Sequence, residues 1–256
     1  MRLRTSWILF ALTCVSAAAQ AQPVQTSRPP VRPFVERGFV TMNAGAQGAA
    51  AELTDHVLFD VNAETGTIDA RYPGRTGLLL EGGAGFRVRG RLGIALAVSS
   101  ATRSGDSSVV AEIPHPFFDD RHRTVQANAG GISRTETAAH LQLYYDVRPR
   151  AGWRLRLFAG PSYFNVDQEI VTQVQAEEAF PFDTAEFRSA MTAHAKGSGP
   201  GFNAGVDLSR MFTRRIGLGA LIQYAGASVD LNAPGSRTVS TDGGGMKAAG
   251  GIRILL

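Results

Sequence analysis

The sequence has a single cysteine and no long apolar segment after its first residues. Cys14 is the one cysteine among 256 residues, and it falls in a segment that we expect to be removed. The mature chain therefore has no thiol for a disulfide, a cysteine nucleophile or a thiolate metal site. No later apolar run approaches the roughly 20 residues of a transmembrane helix, so we expect no such helix.

The N-terminus has the three parts of a secretory signal peptide. Arg2 and Arg4 supply positive charge, residues 7–19 are almost all apolar, and Ala19-Gln20-Ala21 places small residues where a signal peptidase cleaves. We predict cleavage directly after this triplet. The residues before Cys14 match a lipoprotein signal poorly, so no lipid anchor is expected.

The chain thus divides into three predicted parts: a signal peptide at 1–21, a flexible proline-containing periplasmic leader at 22–35 and one all-β domain at 36–256. Apolar and polar residues of the third part alternate with period two, which is typical of strands. Eight segments show this alternation, at 37–46, 78–88, 91–99, 140–147, 153–160, 202–209, 216–225 and 246–256. Each is about as long as a tilted strand that crosses a bilayer.

The connections between these segments differ in length. Three are tight turns, at 89–91, 148–152 and 213–215, and four are long and polar, at about 48–76, 103–134, 165–198 and 230–245. Short turns at one end and long loops at the other are typical of outer-membrane barrels. The stretch 57–72 has some strand character, and we interpret it as an upper extension of the first hairpin. A ten-strand barrel is the alternative.

The two faces of the segments favour a membrane barrel over a soluble sandwich. One face is apolar and carries aromatic residues at the strand ends, where they would form two interfacial girdles: Phe86, Tyr145, Trp153, Tyr163, Phe202 and Tyr224. The other face is rich in glycine, alanine and serine, as a narrow lumen requires. We therefore predict a closed, antiparallel, up-and-down transmembrane β-barrel of about eight strands, with short periplasmic turns and long extracellular loops.

The whole mature chain resembles the small outer-membrane β-barrel proteins of the OmpA/OmpX type. The resemblance rests on the signal peptide, the eight alternating segments and the ending Gly250 to Leu256, which is similar to the C-terminal signal read by the barrel-assembly machinery. An aromatic residue is usual where Leu256 stands. The resemblance implies the outer membrane as location, lipid and lipopolysaccharide as surroundings, the assembly machinery as partner and a monomeric state. It implies no catalytic motif, no cofactor and no periplasmic peptidoglycan-binding domain.

Charge placement argues against nucleic-acid binding, although the formal net charge is +4. Arginines gather at the short turns, whereas the long connections at 48–76 and 165–198 are rich in Asp and Glu. No basic stripe is interleaved with aromatic residues, as single-strand binding would need. We therefore expect no nucleic-acid partner.

Charged residues also fall on the face predicted to line the lumen. The predicted lumenal polar network consists of Glu81, Arg87, His140, Asp146, Arg154, Arg156, Asp207, Lys247 and Arg253. An eight-stranded barrel is just wide enough for its own side chains, so these charges must pair. We interpret them as a structural ion-pair network that plugs the barrel. The alternative is a small passive channel with an arginine-rich lumen.

Two groups of residues suggest chemistry. His140, Glu81 and Ser162 include the residue types of a lipid-modifying hydrolase, but His140 is predicted to point inward and no serine lies two residues from it. The segment Ile113 to Arg123 holds two histidines and two aspartates that could bind a divalent cation, together with two arginines that oppose this. We predict no catalytic, cofactor-binding or metal site, and a loop whose phenylalanines contact a partner or the barrel rim.

The sequence therefore predicts a non-enzymatic outer-membrane protein that acts in envelope structure or surface interaction through its extracellular loops. The small channel and an outer-membrane lipid-modifying enzyme are the alternatives. A soluble lipocalin-like barrel is the rival fold. It would need large apolar residues inside and polar ones outside, the reverse of the predicted lumen.

Overall fold

The computed structural model describes residues 36–48, 52–149 and 151–256, so the predicted signal peptide and leader lie outside the described residues. The described chain is all-β. Its ten strands are β1 (Gly38–Gln47), β2 (Leu53–Val61), β3 (Glu64–Tyr72), β4 (Gly77–Arg89), β5 (Leu92–Pro114), β6 (His122–Val147), β7 (Trp153–Glu178), β8 (Ala185–Met211), β9 (Ile216–Ala233) and β10 (Arg237–Leu255). Within these ranges, no helix has the length and apolar character needed to cross a membrane.

Eight of the strands pair into a ring. Its order is β1, β4, β5, β6, β7, β8, β9 and β10, and every neighbouring pair is antiparallel. The ring closes where β10 pairs with β1, from Phe39 opposite Leu255 to Gln47 opposite Lys247. Apart from the inserted β2 and β3, neighbours in the ring follow one another in the chain. The prediction of an antiparallel, up-and-down arrangement of eight strands is confirmed.

The remaining two strands form a hairpin above β4. β2 pairs with β3, and β3 pairs with the upper part of β5, from Thr67 opposite Glu112 to Arg71 opposite Ser108. β4 pairs with a lower part of the same edge of β5, between Leu92 and Thr102. The hairpin therefore continues the wall upward, which agrees with the interpretation of 57–72 as an upper extension rather than as two further ring strands.

The long polar connections are mostly strand, which differs from the predicted loops. β5 and β6 are joined at 115–121, β7 and β8 at 179–184, and β9 and β10 at 234–236. The alternation of side chains continues above the first ten or so residues of each strand, but the inward and outward faces exchange polarity. Because the outward face becomes polar there, a search for an apolar outward face takes these segments for loops.

This exchange of polarity divides the described structure into two tiers. In β5, the even-numbered side chains point outward, and along the strand they change from apolar (Leu92, Ile94, Leu96 and Val98) to polar (Thr102, Ser104 and Asp106). The odd-numbered side chains point inward, and they change from small (Gly93, Ala95 and Ala97) to larger apolar residues (Val109, Ala111 and Ile113). The lower tier, next to the short turns, is therefore apolar outside, whereas small residues, charged and polar side chains and a few aromatic rings fill its inside. The upper tier has the reverse polarity and comprises β2, β3 and residues 103–114, 122–134, 168–178, 185–197, 228–233 and 237–243.

In the upper tier, β2, β3, β5 and β6 form one four-stranded sheet. Pairing between β6 and β7 ends at Arg134 opposite Gln168, so the hairpins β7–β8 and β9–β10 separate from this sheet above that level, and they pair with each other there only at Lys196 opposite Asn232. The backbone N–H of Val171 donates to the Tyr72 hydroxyl across the interior over 2.7 Å. On the opposite side, Arg237 of β10 donates to the Asp55 carboxylate of β2 over 2.7 Å.

An apolar core fills the space between this sheet and the two hairpins. Ile68, Val109, Ile170 and Leu231 are almost wholly buried in it, and it reaches down to Phe164. Burial of such side chains contributes roughly 1.5–3 kcal/mol each. The upper tier is therefore held together like a β-sandwich in water, with a dry interior and a polar exterior.

Candidate functional site

The structure places eight of the nine predicted lumenal residues in the buried interior of the lower tier, and Arg87 partly buried at the short-turn mouth. They do not form one continuous cluster. They are arranged in successive levels from the short turns upward, and residues outside the predicted network complete each level.

At the mouth, one carboxylate is surrounded by three arginines. Glu36 contacts Arg148 and Arg154 closely, and Arg87 lies 3.7 Å from it. The Glu36 side chain is 9% exposed, so its charge needs these partners. No alternation in the sequence points to Glu36, because this residue precedes the first alternating segment and belongs to no strand face.

Above the mouth, Asp146 accepts a hydrogen bond from Arg156 over 3.0 Å, and Arg154 lies 3.8 Å from its other oxygen. The Arg156 guanidinium also stacks on the Phe39 ring at 3.5 Å and lies 4.8 Å from the Tyr144 ring centroid. Two aromatic faces and one carboxylate thus hold this arginine in the middle of the lumen.

Across the lumen, Arg253 donates to Asp207 over 2.8 Å and to the Asn43 side-chain oxygen over 2.6 Å. Asn43 in turn donates to Glu81 over 3.4 Å. The second Glu81 oxygen has no hydrogen-bond partner among the described residues, and neither has the fully buried amide of Gln223. A cavity of about 20 Å³ borders Glu81, Asn43 and Asp207, which is room for one water molecule.

The next level upward is centred on His140. Lys247 donates to Ser99 over 2.8 Å and to His140 Nε2 over 3.1 Å. Since an ammonium group can only donate, Nε2 is the acceptor and the imidazole proton lies on Nδ1. His140 Nδ1 therefore donates to Ser162 Oγ, 2.7 Å away, and Asn203 donates to the same oxygen over 2.9 Å.

This arrangement is the reverse of an activated serine. A general base must accept the serine proton, whereas His140 donates a proton to Ser162 because Lys247 occupies its other nitrogen. Glu81, the third residue considered for a hydrolase, contacts Asn43 and not His140. The geometry orients the three side chains as parts of a packed polar interior.

At the top of the lower tier, the Glu136 carboxylate collects four donors. They come from Arg103, Arg134, the Gln47 amide and the backbone N–H of Gly244, with Arg134 bound further to Thr241 and the Asp242 carbonyl. None of the three charged residues Arg103, Arg134 and Glu136 belongs to the predicted lumenal network, because they lie in, or next to, the segment 103–134 that is predicted as a loop. If the alternation of the strands is continued through that segment, all three fall on the inward face.

The upper ends of three hairpins meet at the far end of the molecule. Arg123 donates to the carbonyls of Pro114 and Phe182 and to the Glu178 carboxylate, so it ties the β5–β6 hairpin to the β7–β8 hairpin. Asn62, from the β2–β3 turn, donates to the same Pro114 carbonyl over 3.2 Å. The hairpin ends are therefore fixed to each other.

These hairpin ends present an aromatic cluster, which we call the tip surface and which consists of Phe117, Phe118, Phe180 and Phe182. Phe117 and Phe180 are 72% and 87% exposed. The Phe182 ring lies between them, at 5.4 Å from Phe117 and 6.2 Å from Phe180. Exposed apolar residues that cluster on an otherwise polar surface mark a contact site.

The two histidines next to the tip surface, His115 and His122, make separate contacts. His115 is buried, and its Nδ1 accepts from the backbone N–H groups of Phe117 and Phe118, so it shapes the turn. His122 is exposed and approaches the Thr65 carbonyl. Among the residues that the structure describes, no three His, Cys, Asp or Glu side chains are placed to hold a metal ion.

Comparison with known proteins gives likenesses of fold. No protein-family model and no curated protein sequence matches the chain. Among solved structures, outer membrane protein OprG from Pseudomonas aeruginosa aligns over 86% of this chain and 97% of its own, with 9% identity and a TM-score of 0.48. The outer membrane protease OmpT from Escherichia coli aligns over the same shares, with 9% identity and a TM-score of 0.45. Neisserial surface protein A gives 13% identity and 0.42, again over 86% and 97%.

The buried pair Asp207 and Arg253 allows a test of how strongly the lumenal charges depend on each other. Asp207→Leu or Arg253→Met alone leaves an uncompensated buried charge, and each should lower the free energy of unfolding by about 3–5 kcal/mol. The double variant removes both charges, so it should recover most of that loss. Urea unfolding of the protein in detergent micelles measures all three. Losses that simply add in the double variant would contradict the pairing.

Proposed function

We propose that this protein is a monomeric, non-enzymatic outer-membrane barrel with a closed lumen, and that it acts at the cell surface through its tip surface. On this proposal the lower tier lies in the membrane and the upper tier stands outside it. Lipid and lipopolysaccharide surround the lower tier, and the barrel-assembly machinery inserts the chain through β10.

The polarity of the lower tier carries the membrane part of the proposal. The outward side chains of β7 run from Trp153 through Leu155, Leu157 and Ala159 to Tyr163. This stretch of eleven residues matches the 9–11 residues of a tilted strand that crosses a bilayer. It also has an aromatic residue at each end, where the headgroups would lie. A surface this apolar, wrapped around a charged interior, is suited to lipid and not to water.

The orientation follows from the two ends of the lower tier. The short-turn end carries exposed arginines at 89, 91, 214 and 215. The other end continues into an upper tier with a polar exterior. We therefore place the short turns in the periplasm and the upper tier outside the cell, in line with the usual arrangement of such barrels.

The packing of the interior supports a closed lumen rather than an open channel. Ionic levels centred on Asp146, Asp207 and Glu136 fill the lower tier, and the cavity beside Glu81 holds about 20 Å³. Directly above, the apolar core of the upper tier lies across the same axis. A hydrated ion would have to displace both the ion pairs and this core.

The tip surface carries the functional part of the proposal. It lies at the end farthest from the proposed membrane, it is the place where three hairpins are fixed together, and its phenylalanines are exposed although the surrounding surface is polar. A fixed aromatic cluster loses little conformational entropy on contact, which favours binding to another surface.

The membrane placement predicts that the same substitution costs much more folding free energy within the apolar belt than just above it. Leu143→Arg puts a charge in the middle of the apolar belt and should cost about 2–4 kcal/mol of folding free energy in lipid vesicles. Thr137→Arg, on the same face of β6 and six residues higher, should cost less than about 0.5 kcal/mol. Guanidinium titration of the refolded proteins compares them. Equal, small effects would rule out lipid around Leu143.

The closed lumen predicts that the purified protein gives no steady unitary currents in planar lipid bilayers. The reason is the ion-pair network and the apolar core, which together leave no aqueous path. A porin reconstituted in the same way serves as the positive control for the recording. Reproducible channel openings from the wild-type protein would support the channel alternative instead.

The tip surface predicts that cells displaying the protein adhere more strongly to hexadecane droplets than cells without it. Phe117→Ser combined with Phe180→Ser should remove most of this gain, because it deletes the two most exposed rings. Phe212→Ser is the matched control, since Phe212 is 63% exposed but lies in the turn at the opposite end. An equal loss in the control, with equal amounts of protein at the surface, would contradict a specific role of the tip.

A further inference from the structure

On the edge of β5 that faces β3 and β4, the residues between the two ladders have no strand neighbour among the described residues. β3 pairs with β5 from Ser108 upward, and β4 pairs with it up to Thr102. Residues 103–107 of β5 lie between these two ladders, and the connection 73–76 passes over them on its way from β3 to β4. This break in the ladder lies where the lower tier meets the upper tier.

Two arginines replace the missing ladder. Arg103 donates from Nη1 to the Arg75 carbonyl over 3.2 Å, and Arg75 donates from Nη2 to the Asp106 carbonyl over 3.3 Å. The Arg75 side chain lies flat on β5 at Gly105, where an added Cβ would be 2.3 Å from Arg75 Nε. Only glycine permits this approach. The pairing of β5 with β6 also shifts register here, between Gly105 and Ser107, and such bulges often re-aim side chains at binding sites.

A cavity of about 40 Å³ opens at this place, bordered by Arg75, Arg103, Arg134, Tyr72 and Gln168 among others. Its volume is several times the roughly 10–15 Å³ that one water molecule needs. Arg75 and its neighbours in 73–76 are exposed, so the cavity is accessible from outside.

The groups around the cavity are suited to an anion. The Arg103 side chain is 7% exposed, and its Nε is buried without a hydrogen-bond partner among the described residues. The Tyr72 hydroxyl accepts from Val171, and burial raises the pKa of Tyr72 to about 12, so the hydroxyl keeps its proton as a donor. Three arginines face two carboxylates, those of Glu136 and Asp106, which leaves positive charge in excess.

We propose that this cavity is a binding site for a phosphate group, held by Arg103 Nε and the guanidinium of Arg75. Guanidinium groups bind phosphate oxygens with short, charge-assisted hydrogen bonds. The phosphate can belong to a soluble molecule or to a lipid headgroup, because Leu78, in the apolar belt, lies directly below the cavity opposite Thr102. A headgroup at the upper edge of the belt would therefore reach Arg75.

The test uses the full mature chain, labelled with ¹⁵N and refolded in zwitterionic detergent micelles. The reporter is the Arg103 Nε–H resonance, assigned by its loss in Arg103→Lys, which keeps a charge beside Glu136. Addition of inorganic phosphate should shift this resonance in a saturable way. Arg75→Gln should weaken binding at least tenfold, which is the effect of losing one charge-assisted contact. Gly105→Ala should weaken it similarly, since it displaces Arg75.

Arg188→Gln is the matched control, because it removes the same charge from an exposed position of β8 that does not border the cavity. A second arm uses phosphatidylcholine nanodiscs with and without phosphatidic acid. A shift in the nanodisc arm alone assigns the site to a lipid headgroup, and a shift with inorganic phosphate alone assigns it to a soluble ligand. The proposal is overturned if neither arm shifts the resonance, or if Arg188→Gln weakens binding as much as Arg75→Gln. The soluble arm remains informative even if the membrane placement fails.

Discussion

Closure of the ring through β1 and β10 is the constraint on which the rest of the structure depends. Once eight strands close, the interior has room only for their own side chains. Small residues are then required wherever a large one crosses the lumen, as at Gly93, where a Cβ would lie 2.3 Å from the Tyr144 hydroxyl. Every buried charge must likewise find its partner on another strand. Asp207 of β8 meets Arg253 of β10 in this way, and Glu136 of β6 meets Arg103 of β5.

The sequence predicts the lower tier well because its physical signals are local. Period-two alternation marks the strands, arginine- and glycine-containing turns separate them, and strand parity decides that residues such as Asp146 and Lys247 point inward. Which charges pair is not local. The partners of Glu36 come from three places in the chain, and no spacing rule connects Glu36 with Arg148.

The upper tier is harder to predict because its apolar side chains point inward, whereas those of the lower tier point outward. A search for an apolar outward face ends at about Val98 on β5, although the strand continues to Pro114. If alternate residues are assigned to the inward face beyond the point where the polarity changes, the strands become longer and Arg103 and Arg134 fall on that face. This assignment would not predict that β2 and β3 replace β1 and β4 in the upper wall, since that depends on the pairing of β3 with β5.

The unbroken length of β7 and β8 has a mechanical consequence. These strands run for 26 and 27 residues from the short turns to the β7–β8 hairpin end that carries Phe180. A pull on that end acts along the strand axes, so it loads the hydrogen bonds between β8 and β9, and those between β6 and β7, in shear. Bonds loaded in shear share the force, whereas bonds that are peeled apart break one after another. A contact made at the tip would thus be anchored through covalent backbone and many bonds in parallel, with no hinge between the site of attachment and the wall of the barrel.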